Sequence, residues 1–178
     1  PDWCVIDLDP KEAPFTDVVA VALTLHRLCD EVGLPNYVKT TGKTGLHILI
    51  PLGRQCTYEQ SRTLGELLAR LVMLRHHDIS TIVRHVSKRG DKVYLDYLQN
   101  RHGQLIVSPF SVRPLVGATV SMPLVWDEVN AELDQLRFTF TIKTAVQRME
   151  TLGSDPVRPV LDVRPDLGAV LEQLGTRW

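Results

Sequence analysis

The stretch Trp3-Cys4-Val5-Ile6-Asp7-Leu8-Asp9-Pro10 decides how the chain is read. Apolar, β-prone residues run into two aspartates two positions apart, and Pro10, with no N–H to give a ladder, stops the strand. Side chains two apart in a strand share a face, so Asp7 and Asp9 stand side by side at a strand end. Two like charges that close repel unless a cation neutralises them. Oxygen ligands with no Cys or His beside them suit a hard divalent ion, Mg²⁺ or Mn²⁺, of the kind carboxylates hold beside substrate phosphates. An acidic turn after a buried strand is the plain alternative for this stretch taken alone.

Downstream, Thr16 reads as an N-cap with Asp17 in the first turn, and Val18, Val21, Ala22, Leu25, Leu28, Cys29 and Val32 recur at helical spacing up to Gly33. A short strand, Tyr37 to Thr40, the Gly-bearing turn Thr41 to Gly45, and an apolar strand, Leu46 to Leu52, read as a hairpin. Thr57-x-x-Gln60 is a capping box for a second helix with an apolar face on Leu64, Leu67, Leu68, Leu71 and Val72. Ile79 to Val83 and Val93 to Tyr97 read as two more strands, separated by the basic loop Lys88-Arg89-Gly90-Asp91. Trp126-Asp127-Glu128 suggests a helix start, and Thr141 to Leu152 and Asp166 to Leu174 read as surface helices beyond a looser, proline-bearing segment. This order predicts an α+β domain with a mixed, mainly antiparallel sheet and helices on one face. The expected division is a core over 1–155 and a C-terminal helical tail over 156–178.

At 178 residues, with 44% hydrophobic and 23% charged residues, the chain is long enough for one domain with a substantial core. A formal net charge of −1 excludes a global basic field, so any nucleic-acid surface must be local. Cys4, Cys29 and Cys56 form no CxxC pair and read as reduced thiols of a cytoplasmic protein. No apolar run approaches the roughly 20 residues that cross a bilayer, and no segment reads as a signal peptide. The opening almost directly on a buried-looking strand suggests a fragment or the second half of something larger.

Asp96, at the end of the apolar run from Val93, becomes a third candidate carboxylate if its strand shares a sheet with Asp7 and Asp9. Three carboxylates can hold two ions, the arrangement that clamps the attacking and leaving oxygens in phosphoryl transfer. The turn Thr41-Gly42-Lys43-Thr44-Gly45 is not a Walker A loop, since it leads into a strand, but its amides, hydroxyls and Lys43 suit a phosphate. His47 follows it directly. From Arg84 to Arg113 there are six Lys/Arg against two Asp, which reads as a solvated basic loop or a surface for a triphosphate or nucleic-acid backbone. His76, His77, His85 and His102 form no zinc pattern.

The blocks VIDLDP, KTTGKTGLHILIPL, RGDKVYLDYLQNRHG, SPFSVRP and VSMPLVWDEV, in order from about Trp3 to Asp155, resemble the polymerase domain of bacterial DNA ligase D, of the archaeo-eukaryotic primase superfamily. The resemblance implies a primase-polymerase catalytic core, an RRM-like sheet flanked by helices. It implies nucleotidyl transfer, the templated addition of ribo- or deoxyribonucleotides to DNA ends or gaps in non-homologous end joining, with two Mn²⁺ or Mg²⁺ ions. By it Asp7, Asp9 and Asp96 match the metal-binding catalytic carboxylates; His47 and Thr41 match triphosphate contacts; Arg89 and Arg113 match nucleotide-binding basic positions; Gln99 falls near the active site. Lys43 stands one position before the family's turn lysine, because TGKTG replaces the usual SGGKG. The implied partners are a nucleoside triphosphate, DNA ends or gapped duplex, ligase and nuclease domains, and Ku, in the bacterial cytoplasm at the nucleoid. The family's portion before the DLDP strand, which grips the 5′-phosphate and template, is not in this sequence. Two other readings remain: a nucleotide- or DNA-binding module without catalysis, and a dehalogenase-type phosphohydrolase, which also starts from DxD but belongs to a parallel βαβ array.

Overall fold

The computed structural model describes residues 1–176. Its strands are β1 (Trp3–Asp9), β2 (Tyr37–Thr40), β3 (Leu46–Pro51), β4 (Ser80–Thr81), β5 (Val93–Asp96) and β6 (Pro123–Leu124). They form one sheet in the order β4-β5-β1-β3-β2-β6, antiparallel throughout except for β4 beside β5. The expected α+β layout is what the chain adopts. β1 has antiparallel neighbours on both sides, unlike the first strand of a βαβ array.

The period of two along β1 sorts its side chains. Cys4, Ile6 and Leu8 are fully buried with Leu46, Ile48, Ile50, Val38 and Leu95 in the main core, against α1 (Phe15–Glu31) and α2 (Tyr58–Arg75). The opposite face carries Trp3, Val5, Asp7 and Asp9. There Val5 and Leu49 form a small second core with Val157 and Val160, flanked by Trp3, Tyr37 and Ile106. The segment after Asp155, expected as a tail, thus covers one half of this face. The other half, with the two aspartates, stays open. Arg177 and Trp178, the end of that expected tail, lie outside the described residues.

α2 starts with its capping box in place: the Gln60 N–H donates to Thr57 Oγ1 at 3.2 Å and the Thr57 N–H to Gln60 Oε1 at 2.8 Å. α1 departs from expectation. It starts at Phe15, one residue after Pro14, whose φ of −57° already suits helix entry, so Thr16 falls inside the first turn and caps nothing. α1 ends as expected, with Leu34 N–H on the Cys29 carbonyl and Gly33 N–H on Asp30.

The strand expected over Ile79 to Val83 shrinks to Ser80–Thr81. Beyond it, the Val83 N–H turns to Thr81 Oγ1, and the Val83 and Arg84 carbonyls accept from the Arg89 guanidinium rather than from a strand. Trp126 to Glu128 is a single 3₁₀ turn, and Trp126 stacks on His26 at 4.0 Å. After it come α3 (Leu133–Leu136), α4 (Ala145–Leu152), which starts four residues later than Thr141, and α5 (Leu167–Gly175). α5 is not purely a surface helix, because Val170 and Leu174 join the main core. Among the described residues no helix is long and apolar enough to cross a membrane.

Candidate active site

One row of side chains crosses four strands on the open half of the sheet. Lys39 on β2 is paired with His47 on β3, His47 with Asp7 on β1, and Asp7 with Asp96 on β5. Residues opposed in register share a face, so the row Lys39, His47, Asp7, Asp96 follows from backbone pairing alone. Asp9, two along from Asp7, faces Tyr94 in the next row.

Seven of the nine residues singled out from sequence line one cleft of about 230 Å³: Asp7, Asp9, Thr41, Lys43, His47, Gln99 and Arg113. Asp96 and Arg89 line an adjoining cleft of about 190 Å³ with Arg84, Tyr94 and Arg101. Gln99 lines both.

The acidic side chains are held by different means. Asp7 Oδ1 lies 3.4 Å from His47 Nε2. Asp96 accepts from the Leu98 N–H at 2.9 Å and the Tyr94 hydroxyl at 3.2 Å on Oδ1, and from Gln99 Nε2 at 2.9 Å on Oδ2. Burial, with Asp96 adjacent, holds the Tyr94 phenol well above its usual pKa, so it stays a donor. Asp9 Oδ2 meets Arg89 at 3.2 Å. Among the described residues no three His, Cys, Asp or Glu side chains converge on a point that would hold an ion. The donor set nevertheless suits a hard cation: three carboxylates on one face, two in direct register. Asp9, with a side chain 45% exposed, is engaged by an ion pair with the buried Arg89.

Arg89, expected at a nucleotide-binding position, lines the adjoining cleft with its guanidinium bonded to the protein itself. It is 8% exposed, and its guanidinium donates to the Val83 and Arg84 carbonyls and Asp9 while lying 3.7 Å above the Tyr94 ring. With these partners it braces Asp9 and the 83–84 loop. The turn also differs from a cradle of free amides. Thr41 Oγ1 accepts from the Lys43 and Gly45 N–H groups, both at 3.1 Å, so these two amides close the turn on itself. Besides Thr41 and Gly45, the turn presents the exposed side chains of Lys43 and Thr44 to the cleft. Its glycines are dictated by crowding. A Cβ on Gly45 would sit 2.0 Å from the Leu8 carbonyl oxygen, and one on Gly42, at φ +71°, would sit 2.7 Å from Arg113 Cγ. The turn is therefore pressed against β1 on one side and Arg113 on the other.

Sequence reading missed two groups. Lys39 is 1% exposed and bonds His47 Nδ1 and Ser121 Oγ, both at 2.7 Å. Burial, with Arg113 adding to it and Asp7 opposing, lowers its pKa to about 7. Burial also holds His47 below the usual imidazole value despite its contact with Asp7. The signal was present: a turn over Thr41 to Gly45 pairs Thr40 with Leu46 and so Lys39 with His47. The second is Asn100. Its side-chain oxygen accepts from the Val5 N–H at 2.7 Å and its Nδ2 donates to the Val5 carbonyl at 2.8 Å. This side chain takes the place of a strand partner where β5 has ended, and it pins the Leu98–Asn100 turn, hence Gln99, beside β1.

A mainly antiparallel sheet whose middle strands align acidic residues beside a basic hairpin turn is the frame of a primase-polymerase-type domain. The chain belongs to the family of the LigD primase-polymerase domain, which it matches over residues 1–157. It is 37% identical over 155 residues to the bifunctional non-homologous end joining protein LigD of Bacillus subtilis, covering 86% of this chain and 25% of that one. It is 32% identical to the multifunctional LigD of Pseudomonas aeruginosa, over 98% of this chain and 21% of the relative. The chain thus spans about a fifth to a quarter of these relatives' length. The polymerase domain of Mycobacterium tuberculosis ligase D, solved in complex with DNA, shares the fold with a TM-score of 0.81 at 24% identity, over 92% of this chain and 56% of that one.

Proposed function

We propose that this chain is the nucleotidyl-transfer core of an end-joining polymerase, adding ribo- or deoxyribonucleotides to DNA ends or gaps. The observation that carries this reading is the row His47, Asp7, Asp96 across three adjacent strands, opening into a cleft shared with Arg113 and Lys43. Asp7, Asp9 and Asp96 would hold Mn²⁺ or Mg²⁺. Bound there, two ions would supply the positive charge that activates a primer 3′-hydroxyl and stabilises the pyrophosphate leaving group.

The protein's own residues have separable tasks. Arg113, half-buried and fixed by its N–H on the Thr119 carbonyl at 2.7 Å, would meet a triphosphate as a bidentate donor. Lys43, on the exposed rim, would add a point charge. His47 would donate through Nε2 to a phosphate oxygen, and Thr41 would shape the turn rather than touch the phosphate. Gln99 holds Asp96 and borders both clefts, so a nucleotide in one would be felt in the other. Arg89 would act through Asp9. Partners by this reading are a nucleoside triphosphate, DNA ends or gaps and, in a longer polypeptide or complex, ligase and nuclease domains and Ku.

The test is primer extension on a gapped, 5′-phosphorylated duplex with Mn²⁺ and labelled nucleotides, beside the Asp7→Ala/Asp9→Ala variant. Extension by the wild type alone is the expected result. Binding of nucleotide with Mn²⁺ but no extension would replace the proposal with a nucleotide-binding module. Extension by the double variant would refute the role given to the carboxylates.

A further inference from the structure

We propose that Lys39 is a positioning residue: its buried ammonium fixes the tautomer and orientation of His47, so that an N–H on Nε2 faces the cleft. What that N–H meets rests on the nucleotide reading above; the positioning itself does not.

Lys39 sits on β2 directly opposite His47 and is fully buried, yet neither of its two close partners is a carboxylate. A buried cation without an anion in contact is unfavourable. Its two bonds give it a defined task. Ser121 Oγ donates to the Thr40 carbonyl at 2.7 Å, so its proton is committed and its oxygen receives from Lys39. An ammonium has donors only, so His47 Nδ1, at 2.7 Å, must be the acceptor. The imidazole proton then resides on Nε2, the nitrogen 3.4 Å from Asp7 Oδ1 at the cleft wall. The opposite tautomer would point a lone pair at a carboxylate and at any phosphate entering the cleft. The hydrogen-bonded partner behind a histidine commonly decides which ring nitrogen carries the proton. Here that partner is a lysine, so below neutral pH, where it is protonated, the device also places a positive charge beneath an anion site.

A merely structural Lys39, tying β2 to the 119–122 segment through Ser121, would leave the imidazole tautomer indifferent to its replacement. Long-range ¹H–¹⁵N NMR of ligand-free protein, just below neutral pH, reads the tautomer; the His47 signals are assigned by their loss in His47→Gln. The wild type is expected to show Nε2 protonated and Nδ1 bare, a result that needs no variant to fold. Lys39→Met is expected to show mixed tautomers and about 10- to 100-fold weaker binding of a nucleoside triphosphate with Mn²⁺, by analogy with the loss when partners behind metal-binding histidines are removed. A wild-type His47 protonated on Nδ1, or an unchanged tautomer in a folded Lys39→Met, would overturn the proposal. A wild type with Nε2 protonated and no nucleotide affinity would support the lock and refute the nucleotide reading instead.

Discussion

Replacing Asp96 by Asn removes a charge while keeping the shape, and it separates the cost of the acidic row from its use. Asp96 stands directly opposite Asp7 on the neighbouring strand. Like charges so placed destabilise a sheet by about 0.2–1 kcal/mol. The other contacts of Asp96 survive the change. Asn Oδ1 still accepts from the Leu98 N–H and the Tyr94 hydroxyl, and the new Nδ2 replaces the oxygen that met Gln99 Nε2. Gln99 is half-buried and can turn its amide over to present Oε1 instead. Without metal, the variant should therefore gain up to about 1 kcal/mol, or up to about 4 °C in Tm for a chain of this size. With Mn²⁺ at about a hundred times its Kd, the wild type should gain about 2.7 kcal/mol, roughly 5–11 °C, by preferential binding to the folded state. Asp96→Asn should gain much less. Scanning calorimetry of both proteins in chelator and in Mn²⁺ should thus reverse their order. A variant clearly less stable than wild type in chelator would refute the repulsion. An equal Mn²⁺ shift in both would refute Asp96 as a ligand.

Two further outcomes follow from buried groups. Asn100→Ala leaves the Val5 N–H and carbonyl, both buried, without their side-chain partner, which should lower stability by about 2–6 kcal/mol at 1–3 kcal/mol per group; urea unfolding should show a lower midpoint with an unchanged m-value. Lys39 should give stability a pH dependence of its own. Its pKa is about 7 folded and 10.5 unfolded, so across that window the unfolded chain holds a proton the folded chain has released, and stability rises with pH. Lys39→Met lacks that rise, so any stability advantage it has at pH 7 should shrink steadily towards pH 10.5 in urea titrations. A constant difference across the range would show that the lysine is not strained by burial.

Much of the frame is local and could be read from the chain. The alternation in β1, the capping box of α2 and the hairpin around Thr41 to Gly45 each depend on residues a few positions apart. The long-range pairing that sets Asp96 beside Asp7 is different: only the company of similar strands suggested it, and the register had to come from the sheet. Errors arose where a side chain from far away took over a backbone group. Arg89 captures the Val83 and Arg84 carbonyls and cuts β4 short, and Asn100 substitutes for a strand beside Val5. Neither is visible as periodicity. Pro14 displaced Thr16 as the entry to α1 because its ring already fixes the needed φ. Lys39 escaped notice because a lysine between Val38 and Thr40 reads as an exposed strand position, and its burial comes from the 119–122 segment that covers β2.

The core and the candidate site are consequences of a single choice of register. In β1 the even positions enter the helix-covered core and the odd ones the opposite face, so a slip of one residue would carry Asp7 and Asp9 into the core. The antiparallel pairing with β3 and β5 means that the same register also chooses which residues flank Asp7: His47 on one side and Asp96 on the other. Apolar burial of Cys4, Ile6 and Leu8, at roughly 1.5–3 kcal/mol for each large side chain, holds that register far more firmly than the acidic row opposes it. The repulsion between Asp7 and Asp96, about 1 kcal/mol at most, is therefore carried by the hydrophobic face of the same strand. A sheet fixed in this way can keep like charges aligned for a cation, where a loop would let them swing apart.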